Sequence, residues 1–261
     1  MDKISTILVP FDFSKISKNA LEYTMDFVGQ DEHMKILLAY ISPDKDAEIR
    51  EEDFEKLKDQ YSGTLKSPME WISKSGSLTD SIVSIQKSQQ IDLVIMGTSG
   101  VGDETDEAVT NTSKLVTKAD CPVLVVPESA KTLNVKKIAL VLGKDKIDDV
   151  EVLGTLLEVT RRFNAMVHVL TIQNEPGTYG YSKADESNEN VLEYYLENFY
   201  SHHIFMENPD VVEGIFSYVS EKDIDMIAIL PRNHTKEATP SEGLLTKELT
   251  MHSKVPILAI D

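Results

Sequence analysis

The chain contains a single cysteine, Cys121, a single tryptophan, and aromatic residues at only 7% of its 261 positions. One cysteine excludes an intrachain disulfide, and the absence of any CxxC pair removes the usual redox and zinc signatures. Basic residues are also scarce, since Lys+Arg 26 against Asp+Glu 44 leaves a net charge of −18. That balance argues against nucleic acid and anionic membrane surfaces, both of which are bound through basic patches. No apolar run approaches the length of a membrane span, and the one in "MDKISTILVPFDFS" is too short for a signal peptide. The expectation is a soluble, cytoplasmic protein with no nucleic-acid and no membrane partner. Signatures of catalysis are missing as well: no nucleophile elbow, Walker A sequence, HExxH or EF-hand pattern occurs. The six histidines show no ligand spacing. His202 and His203 are adjacent, so they point in different directions on any regular element, which favours surface or terminal placement. No catalytic residue and no metal site are expected, and the chain is read as a non-enzyme.

What the sequence does contain is an alternation. Apolar runs typical of buried parallel strands stand at Thr6–Pro10, Ile36–Ile41, Leu93–Met96 and Val123–Val126, with helical stretches between them. The series then restarts at Ile138–Leu142, Val167–Ile172, Met226–Leu230 and Ile257–Ile260. "QQIDLVIMG" is echoed by "KDIDMIAIL", and "CPVLVV" by "VPILAI", so that Asp92 and Pro122 find counterparts in Asp225 and Pro256 at nearly constant spacing. Two repeated α/β domains are predicted, 1–130 and 131–261, with the boundary in "PESAKTLNVKK" (Pro127 to Lys137), where apolar periodicity lapses. In the first half Ser14 is positioned to cap a helix that Gly29 ends. An acidic helix is expected around Ala47–Tyr61, a short strand at Met69–Ser73 and a helix from Thr79 to Gln89. In the second half helices are expected near Val150–Phe163, Asn190–Tyr200 and Val211–Ser220, with a polar loop before the middle one.

The segment "VIMGTSGVGDETDEAVTNTSKLV", Val94 to Val116, has the form of a phosphate cradle, in which a strand stops at glycines and a Thr/Asn/Ser cluster opens a helix. Together, "ILVPFDFS", "DLVIMGTSG" and "SKLVTKADCPVLVV" resemble the universal stress protein family, here in tandem over essentially the whole chain. The resemblance implies two doubly wound domains, each a five-stranded parallel sheet of order 3-2-1-4-5, and a ligand site where the first and fourth strands separate. It implies an adenine-nucleotide site in the first domain built from Pro10, Phe11 and Asp12 after the first strand, Tyr40 at a backbone contact position on the second, Met96, Gly97 and Gly100 after the fourth, and Thr110, Asn111 and Thr112 before the last helix. Asp12 serves equally well as the cap of its own turn, and the Thr110–Thr112 hydroxyls as helix caps.

The family's nucleotide pattern is G-x2-G-x9-G-[ST], and this chain departs from it. Counted back from "CPVLVV", the third glycine position holds Val109, which is β-branched and resists both φ > 0 and close approach to a phosphate. Asp103, Glu104, Asp106 and Glu107 each add a repulsion of about 0.5 kcal/mol toward a phosphate about 8 Å away in a water-like dielectric, and about 2 kcal/mol at an effective dielectric of roughly 20. In the second half Gly143 stands where the first has Asp12. Leu230 and Asn233 replace the first two glycines there, and only Gly243 is kept, followed by Leu244. The expectation is therefore a weakened or vestigial site that takes ATP, ADP or AMP weakly in the first domain, a mostly lost one in the second, and an unnamed protein partner. The alternative is an interaction or scaffold protein that uses no nucleotide. The final segments, Pro122–Val126 and Pro256–Ile260, are apolar sheet edges, and the resemblance implies that they pair as an internal pseudo-dimer.

Overall fold

A computed structural model describes residues 3–42, 51–99, 111–130, 134–143, 146–147, 150, 152–174, 181–231 and 242–260. The chain divides into two compact units, Lys3–Leu133 and, among the described residues, a second that begins at Asn134.

In the first unit the order is β1 (Thr6–Pro10), α1 (Lys15–Val28), β2 (Lys35–Ser42), α2 (Glu51–Tyr61), β3 (Met69–Ser75), α3 (Leu78–Gln89), β4 (Leu93–Thr98), α4 (Asn111–Lys118) and β5 (Val123–Pro127). Its strands lie in the order β3-β2-β1-β4-β5, and every neighbouring pair is parallel. The central strands are apolar on both faces, and Ile7, Leu8, Val9, Leu93, Val94 and Ile95 are fully buried, as expected of strands covered by helices above and below. The second unit runs β6 (Lys137–Val141), α5 (Leu153–Phe163), β7 (Met166–Gln173), α6 (Lys183–Leu196), β8 (Tyr200–Glu207), α7 (Val211–Glu221), β9 (Met226–Ile229), α8 (Glu242–His252) and β10 (Ile257–Ala259). Its order, β10-β9-β6-β7-β8, is the same topology, again parallel throughout.

The two echoed aspartates do the same work in each unit. Asp92 Oδ2 accepts from the Ser5 and Thr6 amides, both at 2.8 Å, and from the Ser5 hydroxyl at 2.7 Å. Asp225 Oδ2 accepts from the Lys136 and Lys137 amides at 2.8 and 2.9 Å. Each carboxylate satisfies the amides at the start of its unit's central strand and so fixes the entry of the fourth strand beside the first.

Helix ends follow their local chemistry. The Ser14 hydroxyl accepts from the Ser17 amide, and Gly29 closes α1 at φ 59°, its N–H donating to the Met25 carbonyl. Two expectations need correction. The helix placed at Asn190–Tyr200 begins earlier, at Lys183, because Ser182 and Asp185 form a reciprocal capping box, and it ends at Leu196. Tyr200 then opens β8, a strand whose residues are mostly half-buried and which therefore lacks an apolar run. His202 and His203 lie on this strand, where His202 is exposed but the His203 side chain is only 1% exposed, so a surface placement holds for one of them only. The acidic helix begins at Glu51; its expected first residues, from Ala47, lie outside the described residues.

Candidate functional site

Because β1 is flanked by β2 on one side and β4 on the other, the connections leaving β1 and β4 cross to opposite faces of the sheet, and a crevice opens at their C-terminal ends. There the first unit has a cavity of about 600 Å³. Pro10, Phe11, Ile16, Ala39, Ile41, Leu78 and Met96 give it apolar walls, and Asp12, Ser14, Ser17, Ser77, Thr98, Ser99, Asn111 and Thr112 give it polar groups, with Gly76 and Gly97 completing the lining. Three helices, α1, α3 and α4, direct their N-termini at this space through Ser14, Ser77 and Asn111, and N-termini favour electron-rich ligand groups. No lysine, arginine or histidine lines it among the described residues.

The loop after β1 is tightly wound. The Phe11 amide still donates to Ala39 of β2 at 2.9 Å, after which Phe13 takes φ 67°, a left-handed conformation that a bulky side chain adopts only when packing imposes it. The packing is aromatic: the Phe13 ring lies 4.9 Å from Phe11 and 4.8 Å from Phe54. Asp12 is exposed at the cavity mouth. Its Oδ1 accepts from the Ser14 amide at 3.0 Å, and its own amide donates to Ser17 Oγ at 3.4 Å. Partial burial pushes its carboxyl upward, but the hydrogen bonds from Ser14 and Ser17 together outweigh burial and hold it below the usual carboxylate range. Asp12 is thus an ionised acceptor at neutral pH, able to take hydrogen bonds from hydroxyl or amino donors and repulsive to a nearby anion.

Gly97 has a structural reason for being glycine. A Cβ at this position would stand 2.6 Å from the Ile16 carbonyl oxygen and 2.7 Å from Ile16 Cγ2, so the first turn of α1 rests directly on β4. By contrast, a Cβ at Gly143 would meet nothing within 4 Å among the described residues.

Of the residues expected at the site, Pro10, Phe11, Asp12, Met96, Gly97, Asn111 and Thr112 come together in this cavity. Tyr40 is not among its lining residues. Ala39 and Ile41 line it instead, and the Tyr40 ring packs toward Phe54 at 6.2 Å, as alternation along a strand requires. Gly100 and Thr110 lie outside the described residues, as do Asp103, Glu104, Asp106, Glu107 and Val109, and in the second unit Arg232, Asn233, His234 and Lys236. Gly243 falls in the first turn of α8, and Leu244 beside it is exposed. Sequence reasoning did not place Gly76, Ser77 and Leu78 in the site. The available signal was "SGSLTD", a glycine before a serine with an acid three residues on, which marks a helix start at the end of a strand. Gly76 takes φ +125° there, and the Ser77 hydroxyl accepts from the Asp80 amide. Among the described residues no helix is long and apolar enough to cross a membrane.

A model of the universal stress protein family matches residues 3–127. No curated protein matches the chain. Among solved structures, a universal stress protein from Archaeoglobus fulgidus DSM 4304 is similar over 99% of this chain and 98% of its own, with a TM-score of 0.69 at 14% identity. A functionally unknown protein from Pseudomonas aeruginosa PAO1 is similar over 98% of this chain and 92% of its own, with a TM-score of 0.62 at 14% identity. The cytoplasmic domain of a prokaryotic cation chloride cotransporter is similar over 99% and 95%, with a TM-score of 0.58 at 10% identity. At these identities the likeness is one of fold, and fold alone does not carry function.

Proposed function

We propose, from the match of residues 3–127 to the universal stress protein family, that this chain is a non-catalytic, cytoplasmic stress-response module whose first unit holds a weakened adenine-nucleotide site. The observation that supports this reading is the cavity at the β1/β4 switch point, which gathers Pro10, Phe11, Asp12, Met96, Gly97, Asn111 and Thr112 around about 600 Å³, a volume in the ordinary range for small-ligand sites. Its chemistry favours the nucleoside over the polyphosphate. Apolar walls suit a base, the ionised Asp12 suits hydroxyl donors, and no cationic side chain among the described lining residues stands ready for phosphate charge. Calorimetric titration with ATP, ADP and AMP, each with and without Mg²⁺, is the test. The expected result is weak binding in which AMP loses less than ATP relative to an intact site of this family; sub-micromolar ATP affinity without metal contradicts it.

A second reading has its own support. The Asp12 carboxylate is engaged within its own turn, and Gly97 is required by Ile16 with or without a ligand, so both motif residues have structural reasons to be there. On this reading the units form a folded interaction platform that uses no nucleotide, and the same titrations give no heat with any of the three.

The pairing of Pro122–Val126 with Pro256–Ile260 belongs to the proposal and rests on the sequence, because two apolar edge segments in one chain are best covered by each other. Leu124→Lys or Leu258→Lys is expected to separate the units or yield oligomers in light scattering, while a lysine on an exposed helix face has no such effect.

A further inference from the structure

In the second unit β7 and β8 bring two imidazoles together. His168 of β7 lies opposite His202 of β8, and the two rings are 5.0 Å apart centre to centre, tilted by 48°. This pairing depends on an irregularity. Tyr200 is opposite Val167, but His202 is opposite His168, so Ser201 is an extra residue in β8 at that point. Bulges of this kind re-aim side chains. In an unbroken register Ser201 would face His168, and the His202 imidazole would move to the opposite face of the sheet.

Both rings are held through the same nitrogen. His168 Nδ1 is 2.8 Å from the Tyr218 hydroxyl, and His202 Nδ1 is 2.6 Å from the Ser201 hydroxyl. When each Nδ1–H donates to its hydroxyl oxygen, the neutral tautomer presents the Nε2 lone pair, and no hydrogen bond to either Nε2 occurs among the described residues. A hydroxyl, carbonyl or carboxylate on the far nitrogen is the arrangement that orients a metal-binding imidazole. His202 is exposed and His168 half-buried, so the pair is open to solvent. Lys137 and Lys222 are the cationic groups that face His168.

We propose that His168 and His202 form a two-imidazole site for a late divalent first-row transition-metal ion, preferring Cu²⁺ to Zn²⁺, with water completing the coordination. Nitrogen-only donors disfavour Mg²⁺ and Ca²⁺, and for such a set Cu²⁺ heads the affinity order. Among the described residues no group of three His, Cys, Asp or Glu side chains gathers around an ion, so the site is open and of moderate affinity. The neighbouring ammonium groups are already engaged: Lys137 Nζ donates to the Lys222 carbonyl at 2.7 Å, and Lys222 Nζ pairs with Glu221 at 2.6 Å. Their charge lowers the affinity. His203, the next residue, faces away and meets Thr171 Oγ1 at 2.9 Å.

The test titrates the full chain with Cu²⁺ near pH 7.5 in a non-coordinating buffer, by calorimetry and by electron paramagnetic resonance, which counts bound nitrogens. One site with two imidazole nitrogens is expected. His168→Gln and His202→Gln should each lower the affinity about tenfold or more and reduce the nitrogen count to one, and Tyr218→Phe, which removes the outer partner of His168, about tenfold. His33→Gln and His252→Gln should change neither readout. His202 is exposed on the strand, so His202→Gln is expected to retain the parent circular dichroism and keeps the test decisive if His168→Gln fails to fold. Copper bound only through oxygen donors, as the acidic surface alone would give, overturns the proposal, as does two-nitrogen binding that survives His202→Gln.

Discussion

Replacing Gly97 by alanine asks whether this glycine is held by packing or by a ligand. The added methyl carbon would sit 2.6 Å from the Ile16 carbonyl oxygen and 2.7 Å from Ile16 Cγ2, where non-bonded carbon contacts normally begin near 3.3–3.5 Å. Either α1 or β4 must therefore move by about 0.7 Å. Neither moves freely. β4 is hydrogen-bonded between β1 and β5, and α1 is tied down by its buried face, by Asn19 Nδ2 donating to the Pro127 carbonyl at 3.3 Å, and by its Ser14 cap. Overpacking of this kind costs about 1–3 kcal/mol. The reduced freedom of the unfolded alanine chain offsets about 0.4–1 kcal/mol of that, and the mid-range values leave a net loss of about 1.3 kcal/mol. With a urea m-value of about 2 kcal/mol/M, the midpoint should fall by about 0.5–1 M. The single tryptophan, Trp71, makes this readable in the first unit alone, because its ring is stacked on Phe54 at 4.8 Å with 2° between planes and will change fluorescence as that contact opens. Gly143→Ala, whose methyl group meets nothing within 4 Å among the described residues, is the control and should be neutral. A Gly97→Ala midpoint within about 0.2 M of the parent in nucleotide-free protein would falsify the packing argument and leave ligand approach as the reason for the glycine.

Neutralising Asp103, Glu104, Asp106 and Glu107 together with Val109→Gly should raise ATP affinity more than AMP affinity in calorimetry, and Gly143→Asp in the second unit should raise neither; equal gains for both nucleotides would show that phosphate repulsion is not the cause. Asp92→Ala and Asp225→Ala each strand two strand-entry amides and should cost about 1–3 kcal/mol apiece, read by Trp71 fluorescence for the first and by far-ultraviolet circular dichroism for the second; a loss confined to one unit refutes the equivalence of the two carboxylates. Asp12 has a folded pKa below its unfolded value, so its stabilising contribution is present above the ordinary aspartate pKa of about 3.9 and fades as pH falls through the lower folded value. Asp12→Asn should therefore flatten the acid limb of first-unit stability below about pH 4.5, and an unchanged acid limb in that variant would remove the hydrogen-bonded carboxylate from the account.

The architecture was legible because both of its determinants are local and repeated. The apolar runs of β1, β4, β6 and β9 are buried on both faces and admit little else, and "PESAKTLNVKK" separates two series that share Asp92/Asp225 and Pro122/Pro256. β8 was not legible for the opposite physical reason. A half-buried strand such as "YSHHIFME" need not be apolar, and the preceding helix hides its start in a Ser182–Asp185 capping box rather than in an apolar stripe. The site was legible along the chain but not across it. Segments adjoining a motif residue, such as Asp12 and Gly97, could be named from sequence, whereas Ala39 and Ile41 required strand phase and Ser77 required knowing that β3 ends beside β2. At Tyr40 one step along β2 exchanges the cavity face for the aromatic cluster around Phe54, so strand phase decides which side chains line the cavity.

The two units share what folding needs and differ where a ligand would sit, and one connection explains part of the difference. In the first unit α1 begins almost immediately after β1, with only Phe11–Ser14 between them. So short a link brings the helix N-terminus down onto β4, and β4 must then offer a glycine at Gly97 beneath Ile16. In the second unit Leu142–Val152 separates β6 from α5, and so long a link does not oblige α5 to start against β9. The position equivalent to Gly97 is then free to carry a full side chain, and it carries Leu230. A helix N-terminus drawn close to the crevice by a short link is also what places Ser14 and Ser17 beside Asp12, so the glycine and the polar rim of the cavity are consequences of a single length of chain. Losing Gly97 alone would strain the first unit, whereas lengthening the link would remove both the need for the glycine and the polar rim on which the proposed binding rests. On the proposed reading, a second unit without a site follows from its longer β6–α5 connection rather than from point changes in the glycine loop. Gly143→Asp or Leu230→Gly should therefore confer no nucleotide binding in calorimetry, whereas grafting the Phe11–Ser14 link together with Leu230→Gly should; AMP binding by either single variant would refute the argument.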